Sequence, residues 1–364
     1  MSAAATTTAR PRAPRVDWVD YSKGICIFFV VMLHCNGITE KFAHTSGWLS
    51  HVVEFARPFR MPDFFLIAGL FLASVINRPW RTYLDKKVVH FYYFYAIWAS
   101  IQFLSYTLWR DLGEGADAGR LIRHYIGLYL DPEDAMWFIF ILPIFFVVTR
   151  WVKSLPWWTV WAAAALLQSL RIETDWVIPN EFAARYLYFY SGYAFAPLVF
   201  RMAEWALAHA GRSLGYLAAW GLLNGWMVSR GWSKLPGVSI ALGYLGGMAV
   251  VFTAGLCTRV RWTRPLRYLG EHSIVVYLAN PLVARIMLLL AAPLVANVGT
   301  LALGVTVLTV AGTVALYWLC SATPLWFLYR RPAWVGLPNA GPIKPVLPAI
   351  IRGAPEPPGG SGSA

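Results

Sequence analysis

The feature that most restricts the fold is the recurrence of apolar runs close to the roughly 20 residues that a helix needs to cross a bilayer. Such runs lie near 19–40, 48–77, 88–110, 135–152, 156–171, 183–205, 213–229, 236–257, 272–293 and 299–328. Inside lipid every backbone amide must be satisfied within the protein, so runs of this kind become helices. The sequence therefore predicts an all-α, polytopic integral membrane protein with about ten transmembrane helices. The chain is 58% hydrophobic and 13% charged, whereas a soluble domain carries about 25% charged residues. The first run lacks a small-residue cleavage site, so it is expected to stay as the first span.

The net charge is +13. In a soluble protein this would suggest nucleic acid as a partner. Here the basic residues fall in alternate loops, including Arg78, Arg81, Lys86, Lys87, Arg259, Arg261, Arg330 and Arg331. The opposite loops hold Asp111, Glu114, Asp117, Glu133, Asp134, Glu173 and Asp175. This segregation is the positive-inside pattern, and it predicts cytoplasmic N- and C-termini and no nucleic-acid partner. Residues 1–17 read as a disordered cytoplasmic N-terminus, 18–330 as the transmembrane domain, and 331–364 as a disordered Pro/Gly-rich tail. In the loop 111–134, Leu121, Ile122, Tyr125, Ile126 and Tyr129 recur at helical spacing, which predicts a short surface helix. Cys26, Cys35, Cys257 and Cys320 form no CxxC and read as packing residues. The seven histidines include no HExxH pair, and no metal site is expected.

Two runs carry chemistry. Asp20-Tyr-Ser-Lys23-Gly leads into an apolar stretch ending at His34. Lys23 and His34 are eleven residues apart, about three turns, so they share a helix face roughly 16 Å apart along the axis. An ionisable group deep in a membrane helix marks a functional-site candidate. A hydrogen bond from His34 to a neighbouring helix is the structural alternative. The second run contains Arg57-Pro-Phe-Arg60-Met-Pro62-Asp63. Pro62 is expected to break or kink the helix, leaving Asp63 in the first turn of the continuing half. Arg57, Arg60 and Asp63 could then approach His34. Further candidates are Trp137, which also suits an aromatic belt, and Tyr277 and Asn280, which share a helix face. Lys86 and Lys87 suit phosphate groups, although positive-inside charge alone explains them.

These residues also carry a resemblance. Asp20-x-x-Lys23-Gly with His34, Phe59-Arg-Met-Pro-Asp-Phe-Phe-Leu-Ile-Ala-Gly69, Met136-Trp-Phe138 and Leu269-Gly-Glu-His-Ser273-Ile-Val-Val-Tyr277-Leu follow one another in the order of the blocks of the acyltransferase 3 membrane proteins. The chain resembles that family over about residues 18–330. The resemblance implies a bacterial-type inner membrane, an acyl-CoA donor (acetyl-CoA or succinyl-CoA) from the cytoplasm, and a cell-surface or periplasmic saccharide acceptor. It implies His34 as the catalytic histidine and Lys23 at the position of a family Arg or Lys. Ala68 and Asn280 depart from the Ser and His common at those places. The expected function is acyl transfer to a saccharide hydroxyl. His34 would be the general base, Asp63 would support it, Arg60 or Asn280 would stabilise the oxyanion, and Lys23, Lys86 and Lys87 would hold the donor. Arg57, Trp137 and Tyr277 would line the pocket. The alternatives are a transporter or flippase using the same polar intramembrane residues, and a non-catalytic assembly partner.

Overall fold

The computed structural model describes residues 16–340, and no strand occurs among them. Five helical stretches are long and apolar enough to cross a membrane: Asp17–Ala43, Asp134–Val152, Val238–Cys257, Ser273–Leu294 and Val298–Ser321. Large apolar side chains face outward in numbers that lipid accepts and water does not, such as Leu222 (78% exposed), Leu289 (66%) and Trp318 (62%). The chain is thus an all-helical membrane protein.

The bundle opens with α1 (Asp17–Ala43) and its antiparallel neighbour α2 (Leu49–Gly69). A nearly continuous rod follows: α3 (Trp80–Leu84), α4 (His90–Gln102) and α5 (Leu108–Gly113), joined by two π-helical turns. The expected surface helix is present as α6 (Ala118–Gly127), capped by Asp117 accepting from Arg120 N–H at 2.6 Å. Next come α7 (Trp137–Val152), α8 (Trp157–Leu170), α9 (Val177–Ala194) and α10 (Ala196–Ala208). The sixth apolar run is thus two helices, divided at Phe195 just ahead of Pro197, which lacks an amide donor. α11 (Ala210–Ser229), α12 (Val238–Cys257), α13 (Arg264–Glu271), α14 (Ser273–Ala291) and α15 (Val298–Ser321) complete the fold.

Three expectations change. α2 runs unbroken through Pro58 and Pro62. The amide missing at Pro62 would have bonded the Pro58 carbonyl, so the two prolines share one turn's defect. Packing carries the helix across that turn, with Phe59 against Gly246 and Leu66 against Gly192. The second apolar run was expected to be helical to residue 77, but α2 ends at Gly69 and 70–78 form turns. Finally, the ordered chain continues past 330. Asp85, at the first π-helical turn after α3, accepts from Arg331 Nη2 at 2.7 Å and from Leu337 N–H at 2.8 Å, which ties 331–340 to the bundle. Residues 341–364 and 1–15, where the remaining disorder was expected, lie outside the described residues. Asp17 already belongs to α1 and pairs with Arg267 at 3.1 Å.

One crossing fixes the depth of the site. A Cβ added at Gly24 would lie 3.3 Å from Gly270 N and overlap the Leu266 carbonyl, so α1 and α13 meet backbone to backbone. Small residues permit this approach, which membrane helices use in place of a hydrophobic driving force. From there α1 and the α13–α14 rod run in parallel. Ten residues further along each lie His34 and Asn280.

Candidate active site

α1 and α2 pair antiparallel, as Phe29 on Phe59 (5.8 Å between centroids) and the 3.1 Å Asn36–Ser50 hydrogen bond show. His34 therefore lies opposite the turn around Val53, toward the acidic end of the bundle. Arg60 starts nearly two turns away. Side chains on a helix lean toward its N-terminus, and Arg60 does so: its Nη1 donates to the Val53 carbonyl at 3.4 Å. Its guanidinium thus comes to the depth of His34 and within electrostatic reach of it. Arg60 is 7% exposed, its Nε–H has no acceptor, and among the described residues no carboxylate pairs with it. A buried guanidinium without a counter-ion is costly, so it is poised to take an anion.

The structure adds Asp134, which the sequence reading missed. It lies in the short turn before α7, in the left-handed region (φ 50°), within electrostatic reach of His34 and 3.6 Å from Arg285. Its only sequence signal is its place directly ahead of the Met136-Trp137 block. Arg285 also stacks on the Tyr106 ring at 3.8 Å. Asn280 of α14 is fully buried, and neither atom of its amide has a partner. His34 is partly accessible. His34 thus lies within electrostatic reach of Arg60 and Asp134, and Asn280 stands on α14, which packs against α1.

Asp63 does not join them. It is buried within reach of Cys26, eight residues or about 12 Å before His34, and it packs toward Gly247 of α12. Neither of its oxygens has a hydrogen-bond partner. Because α2 continues through Pro62, Asp63 also lacks the helix N-terminus expected for it.

Below the cluster, toward the basic end, lies an apolar cavity of about 190 Å³. Lys23 stands among its lining residues, with Phe64, Ala68, Phe138, Ser273 and Tyr277. The Tyr277 hydroxyl donates to the Ala135 carbonyl and accepts from Ile139 N–H, which pins α14 to the start of α7. Lys87 lies within electrostatic reach of Lys23, with its ammonium 4.3 Å from the Phe146 ring centre. Lys86 is turned to Asp85 at 3.0 Å and belongs with the tethered C-terminal segment. Trp137 lines neither this cavity nor the pocket that Arg57 lines, and it packs near Phe65 at 6.0 Å.

With this arrangement in view, comparison with known proteins is decisive about the family. The acyltransferase domain model of the acyltransferase 3 family matches residues 16–320. The chain belongs to the acyltransferase 3 family. It is also similar to the inner membrane protein YcfT of Escherichia coli (strain K12), 24% identical over 154 residues, 36% of this chain and 43% of that protein. The chain thus aligns with less than half of that relative's length. No solved structure matches. The family model covers α1 through α15 almost entirely, so the His34 cluster and the Lys23 cavity both lie within the acyltransferase 3 domain.

Proposed function

We propose that this protein is an O-acyltransferase of the bacterial inner membrane, with ten spans and the basic end in the cytoplasm. It moves an acetyl or succinyl group from acyl-CoA to a saccharide hydroxyl. The observation that carries the reading is the convergence of His34 with the unpaired Arg60 guanidinium. In the reaction the acceptor oxygen attacks the thioester carbonyl and His34 takes the hydroxyl proton. The carbonyl oxygen becomes an oxyanion, and Arg60, with the Asn280 amide, is placed to stabilise it. Collapse expels the coenzyme A thiolate, which recovers the proton from the imidazolium. Asp134 offsets the charge that develops on His34.

The donor enters from the basic end. Lys23 and Lys87 hold its phosphates, and the apolar cavity between Lys23 and Tyr277 takes the pantetheine arm. Lys23 and His34 are three turns apart, so the arm bridges the two ends of one α1 face. The acceptor comes from the acidic end. A test uses protein purified into nanodiscs, with acetyl-CoA or succinyl-CoA and a glucan acceptor. Release of free thiol with a matching mass gain on the glycan supports the reading. Substrate passage into proteoliposomes without thioester consumption would replace it with the transporter reading.

A further inference from the structure

A second pocket opens at the acidic end of the bundle, beside the middle of α2. Its volume is about 430 Å³, within the range of small-ligand sites. Four cations on four separate elements line it: Arg57 of α2, Arg171 at the end of α8, Arg185 of α9 and Lys234 ahead of α12. Two carboxylates, Glu173 and Glu181, share the wall.

The charge here runs against the topology. The positive-inside bias depletes Lys and Arg at this end, so membrane orientation does not account for four of them around one cavity. Local pairing accounts for two. Arg57 bonds Glu54 at 3.1 Å and Arg185 bonds Glu181 at 3.0 Å. Arg171 and Lys234 make no ion pair among the described residues. The neutral lining suits hydroxyl groups. Gln168 donates to Ser239 Oγ at 3.0 Å, and its Oε1 is left buried without a partner, an acceptor for a ligand hydroxyl. Pro58 and Pro62 form part of the wall, and Arg60 lies within electrostatic reach of Arg57 and Arg185 as well as of His34. The pocket and the His34 cluster therefore adjoin the same stretch of α2, the one that carries Arg57, Arg60 and the two prolines.

We propose that this pocket is the acceptor subsite and that the acceptor is an acidic saccharide, its carboxylate or phosphate held by Arg171 and Lys234 and its hydroxyls by groups such as Gln168. This rests on the acyl-transfer reading for the word acceptor; the preference for an acidic sugar does not depend on catalysis. Charge-assisted bonds to an anion are stronger than neutral ones, so the acid group sets affinity and the neutral groups set orientation.

The test measures binding by titration calorimetry on the full chain in phosphatidylcholine nanodiscs, with glucuronate, glucose 6-phosphate and glucose as probes. Either acidic sugar should bind at least tenfold more tightly than glucose. The double variant Arg171→Gln, Lys234→Gln should lose that advantage while keeping its thermal melting transition. Glu173→Gln should tighten acidic-sugar binding. Equal binding of glucose and the acidic sugars, or an unchanged preference in the double variant, overturns the proposal. Loss of sugar binding when phosphatidylglycerol replaces part of the lipid also overturns it, because the pocket would then be a lipid-headgroup site. If acidic sugars bind as stated but no thioester is consumed with any acceptor, the acyl-transfer reading fails and the acidic-sugar pocket stands.

Discussion

Gly24 and Gly37 lie in the same helix, and replacing each with alanine should have opposite effects. At Gly37 an added Cβ meets nothing within 4 Å. Gly37→Ala should therefore gain the helix propensity that glycine forgoes, about 0.5–1 kcal/mol. At Gly24 the added Cβ would fall 2.8 Å from the Leu266 carbonyl carbon, and its oxygen is closer still, whereas ordinary contact begins at 3.4 Å. The obstacle is backbone, so α1 and α13 must part by more than 0.6 Å. Overpacking of this kind costs about 1–3 kcal/mol, occasionally more. The two variants should thus differ by about 1.5–4 kcal/mol. The same separation shifts His34 against Asn280, ten residues beyond the crossing. A misplacement near 1 Å can cost about 100-fold in rate, so Gly24→Ala should lose turnover even where it stays folded. Intrinsic fluorescence of the 19 tryptophans follows unfolding in mild detergent, and thiol release follows turnover. Equal melting of the two variants, or normal turnover in Gly24→Ala, refutes the argument from the crossing.

Other consequences follow from the same geometry. With the native cysteines replaced, an impermeant maleimide applied to intact cells should label a cysteine at Ala118 and not one at Arg81; the reverse pattern contradicts the proposed orientation. Lys87→Gln should raise KM for acyl-CoA about tenfold, the scale of a lost charge-assisted bond of about 1.5 kcal/mol. Lys86→Gln should instead loosen 331–340 in hydrogen exchange, and a larger KM effect there than at Lys87 contradicts the assignment. His124 is bonded to Asp111 at 2.6 Å and to Glu133 at 2.8 Å. Burial opposes its charge, but these carboxylates outweigh it and hold its pKa above the ordinary histidine value. The clamp is therefore complete below about pH 6.5 and is lost as pH rises through the raised value. Exchange protection of 118–134 should fall over that rise in the parent and change little with pH in His124→Gln.

Much of the fold is legible from local chemistry. Apolar runs at 236–257 and 156–171 stand as Val238–Cys257 and Trp157–Leu170, because length and hydropathy are properties of the segment itself. The unbroken α2 was not legible. A proline's local effect is to stop a helix, and only contacts from Gly192 and Gly246, more than a hundred residues away, carry it through. The site divides in the same manner. His34 and Arg60 stand out as ionisable groups in apolar runs. Asp134 looks like any loop acid until α7 is placed across the apolar cavity from α1. Asp63 looked like a partner of His34 while a helix break was expected at Pro62, and the continuous helix puts it about 12 Å deeper. Arg171 and Lys234 are ordinary loop cations in sequence, and only folding gathers them around one cavity.

The central claim is that His34 is the base. The direct measurement is the rate of acyl-CoA consumption by the His34→Gln variant in nanodiscs, beside the parent protein and at matched melting temperature. Glutamine keeps a hydrogen-bonding side chain but cannot take the proton. The account predicts a fall of about 10²–10⁴-fold in turnover. Near-parental turnover in a folded His34→Gln protein would contradict it and leave His34 a structural residue of α1.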